Sequence, residues 1–553
     1  MSLSWSSPGD AVLGDVDVAL ARTLERLWPG AEDEALRVAA IASWAVQEGH
    51  GCLDLAALRA DPAMRAALLA DPRVGEIDTA SWRRALEQAP FAGDGDAALP
   101  LVLDGERIYL RRYHAYEVEV ARALRALAAP TGAVAPRATG EDRQLHALER
   151  ALAERLTVVC GGPGTGKTWT IARLVERLSR DEPAARIAVA APTGKAAARL
   201  TAALREALPA AASPPAATTL HRLLGIGGAD REPRHGRERP LPVDVLIVDE
   251  CSMVDLALFA KMLRALAPHC RLVLVGDPRQ LPAVEGGAVL GELAALGASG
   301  EGGFGACVVT LDRSHRFEQA GAIAALTRAI ESGDPDATFA ALRGSGVAWH
   351  DDALLAARAP FDALARASYA GIRRASDPAS ALEALARFRV LCALRAGPYG
   401  VSGINAAVES ALGVARAERL RYPGRPILVL ENDAALGLYN GDTGVVVADA
   451  ERGAVALVGD PRGAPRRHAL SQLPAHETAY AMTAHKAQGS EFEEVAIVLP
   501  PEPHPLVTRE WLYTAVSRAR SGLHVFAPRG AIEAALGRRV TVMSGLRERL
   551  AGA

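Results

Sequence analysis

The residues best equipped for chemistry lie between Leu156 and Thr170, which read Leu-Thr-Val-Val-Cys-Gly-Gly-Pro-Gly-Thr-Gly-Lys-Thr-Trp-Thr. Within them Gly161, Gly162, Pro163, Gly164, Thr165, Gly166, Lys167 and Thr168 satisfy G-x-x-x-x-G-K-T. Glycines there let backbone N–H groups wrap a phosphate chain, Lys167 reaches the terminal phosphates, and the Thr168 hydroxyl is offered to magnesium. Trp169 follows as a further nucleotide-binding candidate. A second stretch, Val245-Leu246-Ile247-Val248-Asp249-Glu250, is an apolar run ending in two acids. Asp249 is placed to hold the magnesium shell and Glu250 to orient and polarise the attacking water. Acids after a strand also cap helices; the phosphate loop upstream favours the catalytic reading. A third stretch, Leu272 to Pro282, ends in a polar turn whose Gln280 could contact the γ-phosphate, although alone it is only a loop glutamine.

These groups need a scaffold that presents them from strand ends. Leu156 to Cys160 reads as a buried strand, and Ile171, Leu174, Val175 and Leu178 give the following helix an apolar face. From Glu141 onward strands and helices alternate, as in a parallel sheet covered on both faces. The expected strands are Leu156–Cys160, Arg186–Ala191, Val243–Val248, Arg271–Val275 and Cys307–Leu311. After a Gly-rich break near Gly297 to Gly305, a second series is expected at Phe388–Ala393, Pro426–Leu430, Val495–Leu499 and Gly522–Phe526. The apolar runs Val445–Val447 and Ala454–Val458, joined by turn residues, predict a small β unit inserted over 441–479.

Residues 1 to 128 read as mostly helical, with a hairpin or strand at Leu101 to Leu110 and a helix through Glu117 to Leu127. A stretch rich in Ala, Pro, Gly and Thr then predicts a linker over 129–140. The chain thus divides into an N-terminal domain (1–128), a first α/β domain (141–303, with a polar insertion at 225–240) and a second (304–553).

Bulk properties limit the partners. The 553 residues carry a net charge of −3, so nucleic acid would have to be met in local grooves. The six cysteines form no C-x-x-C pair, which argues against a zinc knuckle, an iron–sulfur centre or a disulfide framework and fits a reducing cytoplasm. The N-terminus carries no secretory pattern and no apolar run is long enough to span a bilayer. The chain contains only four lysines, Lys167, Lys195, Lys261 and Lys486, against a background rich in arginine. Three of them fall inside motifs, where a compact ammonium serves better than a planar guanidinium.

Taken in order, the motifs resemble those of superfamily-one DNA helicases of the RecD family. The resemblance rests on Gly161 to Thr168, Ala191-Pro192-Thr193-Gly194-Lys195, Thr218 to Gly225, Asp249-Glu250, Gly276 to Pro282 and Leu311 to Phe317. It is completed by Ala484 to Phe492 and Tyr513 to Arg520, and covers residues 141 to 530. It implies two RecA-like parallel-sheet motor domains, a mostly helical N-terminal domain and a small SH3-like β insertion. It also implies ATP and Mg2+ as cofactors, with Lys167, Glu250 and Gln280 joined by arginine fingers Arg316 and Arg518 from the second domain. Gln144 matches the glutamine that reads adenine in such helicases, and a helix-surface glutamine is the competing reading. Single-stranded DNA is expected across both domains, on Pro192, Thr193, Gly194, Lys195, Thr219, His221, Thr483, His485 and Lys486; as residue types these also serve as turn and helix-cap residues. The segment 225–240 corresponds in the family to an element that splits the duplex, and the family moves 5′ to 3′.

The family includes stand-alone helicases and a subunit of exodeoxyribonuclease V. Gly49-His50-Gly51-Cys52-Leu53-Asp54-Leu55 and Tyr109-Leu110-Arg111-Arg112-Tyr113 are similar to the N-terminal region of the subunit form. That similarity implies a docking domain, duplex-end DNA, and RecB-like and RecC-like partners in recombinational repair. A motor working alone and a regulatory ATPase scaffold without unwinding are the alternatives. No metal–carboxylate nuclease constellation is legible, so DNA cutting would belong to a partner.

Overall fold

The computed structural model describes residues 12–129, 142–208, 214–227, 232–312, 321–375, 377–415, 420–433, 435–449, 453–459 and 465–552. Residues 130–140 of the expected linker, and Arg316 with the rest of 313–320, lie outside the described residues.

Two parallel sheets form the body of the molecule. The first runs Val308–Leu311, Leu156–Gly161, Arg271–Gly276, Val245–Val248, Ile187–Ala191, Thr218–Thr219 in spatial order. The second runs Val347–His350, Ala519–Phe526, Phe492–Val498, Phe388–Cys392, Ala481–Thr483. Every pairing in both is parallel. Such strands are buried on both faces and therefore read as continuous apolar runs. Leu156–Gly161 is buried along its whole length. Val158 packs into a core with Leu246, Leu272 and Leu274, and Val159 into the opposite core with Ile171, Val175 and Val273.

Register decides what these strands present. Cys160 pairs with Gly276, Val248 with Leu274, and Ala190 with Val248. The segments that follow, Gly161–Lys167, Asp277–Gln280, Asp249–Glu250 and Pro192–Lys195, therefore leave one edge of the sheet together, at the carboxyl ends of the strands.

Three expectations about the scaffold are corrected. Val308–Leu311 pairs with Val158–Gly161 and so belongs to the first sheet, although the second domain was placed from 304. Pro426–Val429 does not enter the second parallel sheet. It pairs antiparallel with Thr443–Val445 and with His476–Thr478, so the small antiparallel sheet spans 426–478 instead of 441–479. A four-residue apolar run is compatible with either sheet, and only long-range pairing selects between them. Finally, the helix Arg111–Ala128 packs Tyr116, Val120, Leu124 and Leu127 into the core under the first sheet, and the C-terminal helix Leu546–Ala551 adds Leu546 and Leu550 to the same cluster. The N-terminal assignment of 111–128 and the second-domain assignment of the last residues were both drawn from sequence order.

The N-terminal unit combines helices with a four-stranded sheet containing the expected hairpin, Leu101–Asp104 with Arg107–Leu110. Its turn Gly49–Cys52 is a junction. Gly51 N donates to Met543 O at 2.8 Å, and Met543 N donates to His50 Nδ1 at 3.2 Å. Gly49, at φ 88°, lies so close to the loop after Gln280 that a Cβ there would stand 2.8 Å from the Val284 carbonyl oxygen. Glu117, fully buried, accepts from Tyr109 Oη (3.0 Å), Ser544 Oγ (2.6 Å) and Gly545 N (3.1 Å). The chain's last residues thereby return from the second motor and clamp the N-terminal unit.

Candidate nucleotide site

The loop Gly161–Gly166 turns between a buried strand and the helix Lys167–Asp181, whose N-terminus directs free N–H groups and partial positive charge into it. Gly164 and Gly166 have φ of 73° and 87°, the left-handed region that a side chain disfavours. Lys167 Nζ donates to Gly161 O at 2.7 Å and to Gly162 O at 2.9 Å, and Thr165 Oγ1 donates to Gly162 O at 2.9 Å. A Cβ on Gly161 would stand 2.5 Å from Thr165 Oγ1, so the loop closes tightly enough to require glycine. Gln144 Nε2 donates to Thr165 O at 2.9 Å, which sets this glutamine against the loop. Trp169 is 41% exposed and carries the Arg173 guanidinium 5.2 Å from its ring centroid.

The two acids stand beside the loop. Glu250 has φ 53°, the one left-handed non-glycine residue among those described, and a strained conformation of this kind recurs at functional sites. Its Oε2 is buried without a partner among the described residues. Asp249 Oδ1 accepts from Glu250 N at 2.9 Å. Burial first, then the charge of Glu250, pushes the Asp249 carboxyl up to about 6, while Lys167 and Arg199 pull it back. Asp249 and Thr168 make an all-oxygen donor pair of the kind that magnesium takes together with phosphate oxygens and water. Among the described residues no group of three or more His, Cys, Asp or Glu could hold a metal by itself.

From the third strand end, Asp277 is fully buried and accepts from Arg279 Nε at 3.1 Å and from Tyr513 Oη at 2.8 Å. Gln280 is buried, its Nε2 donating to Asp277 Oδ2 at 3.4 Å and its Oε1 left without a partner among the described residues. Leu281, the next residue, packs into the core of the second motor. Its N donates to Thr514 Oγ1 at 2.9 Å and its O accepts from Gln488 Nε2 at 2.8 Å.

Arg518 arrives from the second sheet. It is 3% exposed and held by Thr514 O (3.1 Å), Ser490 O (3.2 Å) and Ser517 Oγ (3.0 Å), with no carboxylate hydrogen-bonded to it among the described residues. Burial pulls its pKa down, and the charges of Glu250 and Glu491 oppose that shift. Two groups not anticipated join it. Arg199 pairs with Glu491 at 2.9 Å across the two motors, and Arg520 holds the other oxygen of Glu491 at 3.1 Å. Arg199 lies four residues after Lys195, one helical turn, but only the fold shows which acid that turn faces.

The residues expected on DNA divide. Thr193 and Thr219 spend their hydroxyls capping helices, on Ala196 N and Arg222 N, each at 3.2 Å. Thr483 Oγ1 accepts from Lys486 N at 3.4 Å, and Lys486 Nζ pairs with Glu477 at 2.7 Å. Pro192 and Gly194 extend from the first sheet's carboxyl edge, Gly194 facing Tyr439 of the small sheet and Lys195 lying 5.8 Å from the Phe492 ring centroid. His221 is exposed and His485 half-buried. A cleft of about 1330 Å³ opens here between Lys195, Arg199, Arg389, Asp442, Glu491 and Arg520. It does not include the phosphate loop.

Known proteins resemble this chain in sequence. Residues 144–286 match an AAA domain model, 10–109 the N-terminal domain of the RecBCD enzyme subunit RecD, and 478–526 a UvrD-like helicase C-terminal domain. The chain is 40% identical over 566 residues to the RecBCD enzyme subunit RecD of Mycolicibacterium smegmatis, covering 98% of each. It is 39% identical to the corresponding subunit of Mycobacterium tuberculosis, covering 97% of this chain and 95% of that one. The ATP-dependent RecD2 DNA helicase of Deinococcus radiodurans is 32% identical over 68% of this chain and 48% of its own length. A crystal structure of Bacteroides Pif1 bound to single-stranded DNA is also similar, at 21% identity and a TM-score of 0.41, over 70% of this chain and 93% of that one. The fold and these matches define an ATP-using helicase class of protein built on two parallel sheets. The chain belongs to the RecD family of helicases.

Proposed function

We propose that the protein is an ATP-driven DNA helicase that moves 5′ to 3′ on single-stranded DNA as a subunit of a helicase–nuclease complex processing double-strand ends. The observation that carries this reading is that the charge of Lys167 bears on Asp249 and that of Glu250 on Arg518, so groups of one sheet act electrostatically on a buried arginine of the other. Lys167 and the loop N–H groups hold the phosphates. Thr168 and Asp249 would hold Mg2+, which would supply charge neutralisation for the phosphates when bound. Glu250 orients water toward the γ-phosphate, and Arg518, with Arg316, stabilises charge that develops on the transferred group. Gln280 reports loss of that phosphate through Leu281, whose backbone is bonded to the second motor.

Closure and release of the cleft then shift Pro192–Lys195, Thr219 and His221 relative to Thr483, His485 and Lys486 along the DNA. Near-complete coverage of RecBCD-type relatives supports the subunit reading over a motor that works alone, as does the N-terminal unit clamped between Val284 and the C-terminal segment. The test is DNA-stimulated ATP hydrolysis and unwinding by the assembled protein on substrates with 5′ or 3′ tails. Absence of stimulation would remove the motor reading, and preference for a 3′ tail would remove the polarity. Full processive unwinding by the monomer after gel filtration of co-expressed chains would remove the subunit reading.

A further inference from the structure

Gly162, the second residue of the phosphate loop, stands between two cations. On one side its carbonyl accepts from Lys167 Nζ at 2.9 Å. On the other, a Cβ built on Gly162 would lie 2.7 Å from Arg279 Nη2 and 3.0 Å from the Tyr513 hydroxyl. Arg279 leaves the carboxyl end of the strand Arg271–Gly276 two residues after Asp277, and it is gripped from both motors. Its Nε donates to Asp277 Oδ1 at 3.1 Å and its Nη1 to Glu331 Oε1 at 2.6 Å, while the guanidinium carbon lies 5.5 Å from the Tyr513 ring centroid. Glu331 and Tyr513 belong to helices Gly321–Ser332 and Arg509–Val516 of the second motor. Nη2 donates to no acceptor among the described residues, and it is the nitrogen beside the loop.

We infer that Arg279 is a further catalytic residue, whose Nη2 donates to the terminal phosphate oxygens of the bound nucleoside triphosphate opposite Lys167. The inference rests on the reading of this loop as the nucleotide site. A guanidinium is planar and offers its donors in a rigid fork, so pinning Nε and Nη1 fixes where Nη2 points. A donor held in place before charge develops costs no reorganisation when the phosphoryl group transfers. Two of the groups that hold Arg279 come from the second motor, so its pose is set only when the cleft is closed. Hydrolysis is thereby made conditional on closure from within the first motor, in addition to Arg518 arriving from the second. The competing account is a purely structural latch, Arg279–Glu331 and Tyr513–Asp277, that joins the motors without touching nucleotide.

The two accounts separate on the affinity that ADP gains when aluminium fluoride completes a transition-state mimic. The full-length chain, assembled with its partners, is compared with Arg279→Gln, Arg279→Lys, Glu331→Gln and Lys167→Ala by steady-state ATP hydrolysis and by binding of ADP with and without aluminium fluoride. A phosphate contact predicts that Arg279→Gln lowers kcat about 100-fold and removes most of the fluoride-dependent gain, with ADP alone bound within about 2-fold of wild type. Arg279→Lys should recover part of both. A latch predicts that Arg279→Gln and Glu331→Gln weaken ADP and ADP–fluoride by the same factor; that result, or an unchanged kcat in Arg279→Gln, overturns the inference. If Lys167→Ala hydrolyses ATP normally, the nucleotide-site reading itself fails, whatever Arg279 does.

Discussion

The Tyr513 hydroxyl donates to Asp277 Oδ2 at 2.8 Å, joining the helix Arg509–Val516 of the second motor to the carboxyl end of a strand in the first, with both residues buried. The carboxylate it serves is also bonded to Arg279 and Gln280, so the turn after the strand Arg271–Gly276 and the domain junction share one acceptor. Burial and the negative charge of Asp277 both hold the Tyr513 phenol well above its ordinary pKa, keeping it protonated as the donor.

Tyr513→Phe should therefore loosen the junction without leaving a cavity. A buried charged acceptor losing one donor costs roughly 1–3 kcal/mol. The expected outcome is a lower denaturation midpoint and a raised KM for ATP, measured together. A variant with both values unchanged would show that the bond does not hold the cleft.

Glu250→Gln should abolish the polarisation of water and leave the phosphate grip intact. Loss of a general base typically lowers the rate about 100- to 10,000-fold. Hydrolysis should fall on that scale while fluorescent-nucleotide binding stays near wild type. Hydrolysis at the wild-type rate would transfer the role to another group.

Glu117→Gln tests the clamp made by the C-terminal segment. The carboxylate accepts from Tyr109, Ser544 and Gly545, and an amide must turn an NH2 toward one of these donors. We expect a loss of about 1–3 kcal/mol and faster amide hydrogen exchange across 540–551. Exchange that is unchanged there would mean that packing by Leu546 and Leu550 alone holds the segment.

Acid should release the same clamp through His50. Burial lowers its pKa from 6.5 to about 4, against the raising effect of Asp61, and its neutral ring accepts from Met543 N. The unfolded chain takes up that proton near pH 6.5 and the folded one near pH 4. Stability from this group is thus complete above 6.5 and declines by about 3 kcal/mol as pH falls to 4. Glu117 acts in the opposite sense: burial raises its pKa, so protonation stabilises the fold as pH falls. Melting curves of His50→Ala beside Glu117→Gln should separate the two. An acid limb that survives in His50→Ala would exclude histidine as its source.

What the sequence showed clearly was local. The phosphate loop, the Asp249–Glu250 pair and the turn carrying Gln280 each occupy a few covalently adjacent residues, and each follows an apolar run that forms the expected strand. Strands such as Val347–His350 and Ala481–Thr483 are not legible in the sequence, because three or four residues carry no period of their own. Tyr513 and Asp277 each lie within a family motif, yet they are 236 residues apart, and nothing in either motif says that they touch. Thr193 and Thr219 illustrate the same limit: their type fits a phosphate contact and a helix cap equally, and the fold shows their hydroxyls capping.

The sequence by itself determined the chemistry available to this protein, because backbone-lining glycines, an ammonium, a hydroxyl and two acids at fixed spacing admit few other uses. Tertiary structure alone decided how these groups are shared. Parallel register brings separate strand ends to one edge, and folding buries Arg518 without a hydrogen-bonded carboxylate and Gln280 with its Oε1 unpartnered among the described residues. The C-terminal residues return to the N-terminal unit for the same reason: long-range packing is set by which apolar faces remain uncovered, and no stretch of sequence records that about another.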